Sequence, residues 1–98
     1  MLVGVLRVRL RVPESQSLKA KRQVVKSLVA RLQNRFHLSA AEVGDLDSWQ
    51  LATIGVACVS NDERHASEVL SSVMEFVRRE RLDAEILDYE TEIIDAGA

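Results

Sequence analysis

Ser17, Lys19, Lys21, Arg22 and Lys26 fall within one short segment whose shared chemistry is anion binding. Lysine ammonium and arginine guanidinium groups suit phosphate oxygens. A serine hydroxyl and the free backbone N–H groups of a helix N-terminus suit them as well. The surrounding stretch, Ser15 to Ala41, holds Lys19, Lys21, Arg22, Lys26, Arg31 and Arg35 and no Asp or Glu. Positive charge in a first helical turn opposes the macrodipole by about 0.3–1 kcal/mol per exposed charge. A breach of that preference marks a compensating partner or a functional surface. Solvated helix residues are the plainer alternative. Another is neutralisation by Glu14, Asp45 and Asp47, which the fold argued below places at the same end of the domain.

Other chemistries find less support. A base-stacking sheet of the RNA-recognition type needs aromatics on its central strands. The corresponding positions here are Val and Arg in the first strand, then Thr53, Gly55, Ala57 and Val59 in the third. Acylphosphatase chemistry needs a glycine-containing, arginine-bearing phosphate loop after the first strand. Pro13-Glu14-Ser15-Gln16-Ser17 has neither residue, and Asn61 alone is turn chemistry. Glu42, Asp45 and Asp47 lack the spacing of a hard-metal loop. One cysteine and the two distant histidines, His37 and His65, give no zinc spacing. Cys58, between Ala57 and Val59 in an apolar strand, reads as an inert thiol in a reducing cytoplasm. Trp49, the only tryptophan, suits a core or subunit-interface anchor. No catalytic residue, cofactor or metal is expected.

The length of 98 residues fits a single domain, 1–98, with no linker. Such a domain buries roughly 60–65% of its unfolded surface, enough for one modest core. Nothing approaches the ~18 apolar residues of a membrane span. A strand-like pattern begins at once, so no signal peptide is expected. The net charge of −2 argues against broad non-specific nucleic-acid affinity, leaving a local basic face open. Negative charge collects near the other end, at Asp83, Glu85, Asp88, Glu90, Glu92 and Asp95.

Six elements must position these groups. Leu2 to Val12 alternates Leu6, Val8, Leu10 and Val12 against Arg7, Arg9 and Arg11, which is a strand with one buried face. Ser17 is the expected N-cap of a helix whose apolar stripe is Val25, Leu28, Val29, Leu32 and Phe36. Leu38–Val43 and Trp49–Val59 read as strands joined by the Gly44–Ser48 turn. Ser60 and Glu63 fit a capping box for a helix burying Ala66, Val69, Leu70, Val73, Phe76 and Val77 and ending in Arg78-Arg79-Glu80-Arg81. Ala84 to Ile94 is the last strand, with Leu87, Tyr89 and Ile93 on one face and Ile86, Asp88, Glu90 and Glu92 on the other.

The order β-α-β-β-α-β predicts an α+β, ferredoxin-like domain. Its four-stranded antiparallel sheet has order 4-1-3-2, with two helices on one face. Arg7, Arg9 and Arg11 then lie beside Asp88, Glu90 and Glu92, as cross-strand ion pairs worth roughly 0.2–1 kcal/mol each.

The segment Leu2-Val-Gly-Val-Leu-Arg-Val-Arg-Leu-Arg-Val-Pro13, the Ser17-Leu-Lys-Ala-Lys-Arg22 block, Val24–Leu28, Ala41–Asp45, Trp49-Gln50 and Val59–Asn61 together closely resemble the YlxP-like bacterial family. The resemblance covers nearly the whole chain, and the Ser-Leu-Lys-x-Lys-Arg block is its most specific part. It implies a ferredoxin-like fold and carries over no catalytic residues. Members often sit near genes for translation initiation and ribosome maturation, so it implies a ribosome-linked role by association only.

Two expectations follow. One is a non-enzymatic cytoplasmic module contacting structured RNA or the ribosome through Ser17, Lys19, Lys21, Arg22 and Lys26. The other is a homodimeric protein-interaction module with no nucleic-acid contact, using the exposed edge of strand two or the open sheet face. Neither involves a membrane.

Overall fold

The computed structural model describes residues 1–13, 15–80 and 84–97. The elements are β1 (Leu2–Arg11), α1 (Leu18–Phe36), β2 (Ser39–Gly44), β3 (Leu51–Ser60), α2 (Glu63–Arg79) and β4 (Glu85–Asp95). They form one four-stranded sheet of order β2-β3-β1-β4 with every pair antiparallel, the ferredoxin-like arrangement expected from the sequence. Glu14, Arg81 and Asp83, given roles in the sequence reading, lie outside the described residues.

The alternation of β1 works as expected. Leu6, Val8, Leu10 and Val12 are buried, as are Ala52, Ile54 and Val56 of β3. Against that face pack Val25, Leu28 and Leu32 of α1 and Ala66, Leu70, Val73, Met74 and Val77 of α2. At Gly4 a Cβ would stand 3.0 Å from Cys58 Sγ and 3.3 Å from Leu70. Glycine there lets strand and helix close over the thiol.

Three local details differ from the sequence reading. The N-cap of α2 is Asp62, whose carboxylate accepts from the Arg64 N–H at 3.0 Å. The Ser60 hydroxyl instead closes the turn before it, donating to the Asp62 carbonyl and accepting from the Asp62 N–H. Serine and aspartate cap about equally well, so the turn that engages the Ser60 hydroxyl leaves the cap to Asp62.

The second difference is in β4, where Arg9 pairs with Asp88 but Leu10 with Ile86, leaving Leu87 as the extra residue of a bulge. A bulge inverts the alternation beyond it, so Ile86 turns inward against the core and Glu85 turns outward. The third difference concerns the ion pairs: Arg7 pairs with Glu90, Arg9 with Asp88 and Arg11 with Glu85, which the bulge turns outward, while Glu92 stands opposite Val5.

The sheet face away from the helices is therefore divided. Its β1–β4 end carries these exposed ion pairs, while Val3, Val5, Ala41, Val43, Ala57, Val59 and Ile94 occupy the rest. Val59 is 70% exposed.

Candidate nucleic-acid interface

Helix α1 begins at a cap that the sequence specifies. The Ser17 hydroxyl oxygen accepts from the Ala20 N–H at 3.0 Å, and the Ser15 hydroxyl donates to the Ser17 carbonyl at 2.9 Å. One lone pair of the Ser17 hydroxyl thus serves the helix. No acidic residue stands in the first turn.

The basic residues that follow do not form one cluster. Lys21 is 0% exposed and ranks with the core leucines among the fully buried side chains. Its ammonium donates to Glu42 Oε2 at 2.7 Å, to the Asp45 carbonyl at 2.9 Å and to the Leu51 carbonyl at 3.1 Å. Three donors meet three acceptors, so the group is fully satisfied. Glu42 is itself mostly enclosed, its side chain 14% exposed. Lys21 is thus a fastener joining the start of α1 to both strands of the β2–β3 hairpin. The expectation that it contacts RNA is corrected: no phosphate can reach an ammonium with no exposed surface.

Lys19, Arg22 and Lys26 are exposed, and none of them forms an ion pair among the described residues. Seven residues make almost two helical turns, which brings Lys19 and Lys26 within about 20° of each other around the axis. Arg22 lies within about 60° of both, and the three span roughly 10 Å along the helix. Lys21 lies about 160° away from Lys19. Gln33 shares the exposed face and donates to the Ala40 carbonyl of β2 at 3.1 Å. The basic stripe accordingly runs along the β2 flank of the domain.

Of the expected neutralisers, neither Asp45 nor Asp47 pairs with the exposed stripe. Asp45 gives its backbone carbonyl to Lys21, but its carboxylate accepts from the Thr53 hydroxyl at 2.8 Å and lies 3.9 Å from Arg9. Asp45 adopts φ 58°, a left-handed conformation that aspartate tolerates at a tight turn. Asp47 is exposed and forms no ion pair among the described residues.

The hairpin carrying these residues is firmly held. Ser48 Oγ accepts from the N–H groups of Gln50 and Leu51, and the Ser48 N–H donates to Asp45 O. The Gln50 side chain reaches the carbonyls of Pro13 and Ser15, each at 3.4 Å, and the Val12 N–H donates to Gln50 O. Between these anchors Trp49 stands 57% exposed, so of its two expected places, core or subunit interface, the core is corrected.

The signal for Lys21 was present in the periodicity. Lys21, Val25, Leu28 and Leu32 follow the i, i+4, i+7, i+11 rhythm of one helix face, so a lysine occupies the first position of the apolar stripe. Residue type drew it into the cationic block, whereas spacing assigns it to the core.

No group of metal-ligating side chains occurs among the described residues, and no helix is long and apolar enough to cross a membrane. A family model described as a protein of unknown function, DUF503, matches residues 3–91. The uncharacterised protein YlxP of Bacillus subtilis (strain 168) is 38% identical over 64 residues, 65% of this chain and 70% of the relative. Among solved structures, a de novo designed protein with a ferredoxin fold aligns over all of this chain and 90% of its own. That alignment has a TM-score of 0.47 and 13% identity. A REP-associated tyrosine transposase bound to a REP hairpin aligns over 97% of this chain and 57% of its own, with a TM-score of 0.42 and 12% identity.

Proposed function

The chain belongs to the DUF503 family, and on that footing we propose that it is a non-enzymatic module contacting structured RNA, ribosomal RNA included, through Lys19, Arg22 and Lys26. One observation carries the reading: three exposed cations stand in line on one helix face with no carboxylate paired to them among the described residues. Unpaired cations in a line are what a phosphate backbone needs. Binding releases the counterions condensed on the nucleic acid, and that release drives the association. Three phosphate contacts correspond to a slope of log affinity against log salt of about −2 to −3. The net charge of −2 argues against broad non-specific attraction and leaves it to a local basic face.

The test is titration of ribosomal RNA fragments against wild type and a Lys19/Arg22/Lys26→Glu variant over a salt series. The variant loses binding, and the wild-type slope flattens to near zero in its place. Equal affinity of the two proteins would end the RNA reading.

A second reading, the homodimer, is favoured by the exposed apolar part of the open sheet face around Val43 and Val59. Strands at ~4.8 Å spacing and ~3.3 Å rise give the whole four-stranded face a footprint of about 600 Å². A stable interface needs about 800 Å² per partner, so such a dimer would use all of the face and its rim. Sedimentation at micromolar concentration that shows monomer alone would exclude it.

A further inference from the structure

The exposed tryptophan is the feature that the phosphate stripe does not explain. Trp49 is the chain's only tryptophan and stands 57% exposed on a tight hairpin, with Leu46 half exposed in the same turn. A large aromatic face left in water on a well-held turn is a preformed contact surface, because ordering it costs little on binding. The hairpin is held on both sides, by Ser48 Oγ within the turn and by the Gln50 side chain on Pro13 and Ser15. Lys21 fixes it to the start of α1 through the carbonyls of Asp45 and Leu51. The same few bonds therefore set Trp49 at the end of the domain where the basic stripe begins.

Resting on the RNA reading above, we propose that Trp49 stacks on an unpaired base of the RNA strand whose phosphates lie along Lys19, Arg22 and Lys26. Each base has a π-face, so one tryptophan accepts any of them, and the adjoining cations take the backbone that carries it. Aromatic stacking and a line of cations are complementary to a single ligand that has both flat rings and regularly spaced phosphates. The preferred ligand is then RNA with an unpaired nucleotide, as in a loop, bulge or single strand. A fully paired duplex, whose bases are already stacked, satisfies only the stripe. Stacking of one base is worth about 5- to 150-fold in affinity.

Because Trp49 is the sole tryptophan, its emission reports the contact directly. The probes are a blunt adenine–uracil RNA duplex, the same duplex with one bulged adenine, a single-stranded oligoadenylate, and its deoxy counterpart. The bulged duplex and the RNA single strand are expected to quench Trp49 and to bind about 5- to 150-fold more tightly than the blunt duplex. Trp49→Ala removes that preference and leaves blunt-duplex affinity and thermal stability unchanged, while Trp49→Phe keeps most of the preference.

If all RNA probes bind alike, depend on salt and on the stripe, and leave the emission unchanged, the stacking role is overturned and the phosphate reading survives. If no probe binds with salt dependence, both fall. A change in emission with protein concentration alone would instead assign Trp49 to self-association and overturn the stacking role. Tighter binding of the deoxy strand would overturn RNA as the ligand.

Discussion

Lys21 and Lys19 are two residues apart on α1, yet one is wholly enclosed and the other faces water. The enclosed ammonium meets a carboxylate and two carbonyls within 3.1 Å. The exposed face, Lys19, Arg22 and Lys26, has no ion-pair partner among the described residues. Helical spacing alone separates them, since 100° per residue turns one lysine into the core and its neighbours out of it. The two faces thus divide one basic segment into a buried half that fastens the fold and an exposed half without ion pairs among the described residues. Their energetics differ accordingly. A buried ion pair is costly to break because the surviving charge is left without water. An exposed cation can be exchanged with little effect on folding.

The largest effect expected from breaking this contrast is on Lys21. Lys21→Ala leaves Glu42 and two carbonyls without their donor, and we expect a loss of about 3–5 kcal/mol in chemical denaturation. Replacing Lys21 and Glu42 together with Met and Leu should be less damaging than Lys21→Met alone, because no charge is then stranded. A double-mutant cycle measures that coupling.

Next in size is the exposed face. Lys19/Arg22/Lys26→Ala should change unfolding free energy by less than about 0.5 kcal/mol per site while reducing the salt slope of RNA binding by about 2–3. Lys19→Glu sharpens the contrast further, since an acidic residue in the first turn complements the helix dipole. It should raise stability by about 0.3–1 kcal/mol while weakening RNA binding. The smallest effect belongs to Asp47, an exposed negative charge on the hairpin that Lys21 ties to the start of α1. Asp47→Asn should strengthen RNA binding a few-fold at low salt, with the gain fading as salt screens the charge.

The ferredoxin-like architecture was legible because its signals are long and periodic. The β1 alternation of Leu6, Val8 and Leu10 with Arg7 and Arg9, and the stripe from Val25 to Leu32, each repeat often enough to fix a face. Details that depend on one residue were less legible. The β4 bulge at Leu87 leaves no mark in composition, and it sets Glu85 rather than Ile86 opposite Arg11. Asp62 and Ser60 are both good capping residues, and only the geometry of the turn selects between them. At the site, Lys21 was misplaced because its charge was weighed ahead of its spacing. For Trp49 the core was one of two expected places, since large aromatics are usually enclosed. Here the turn is anchored by Ser48 and Gln50 and leaves its own tryptophan outside.

The division of α1 is tested most directly by measuring stability and RNA affinity in parallel on Lys21→Ala and on Lys19/Arg22/Lys26→Ala. A crossed result is predicted. The first variant loses several kcal/mol of stability but binds a fully paired RNA duplex like wild type wherever it remains folded, and the second keeps its stability and loses the binding. A Lys21→Ala protein that stays fully stable yet no longer binds the duplex would contradict the account.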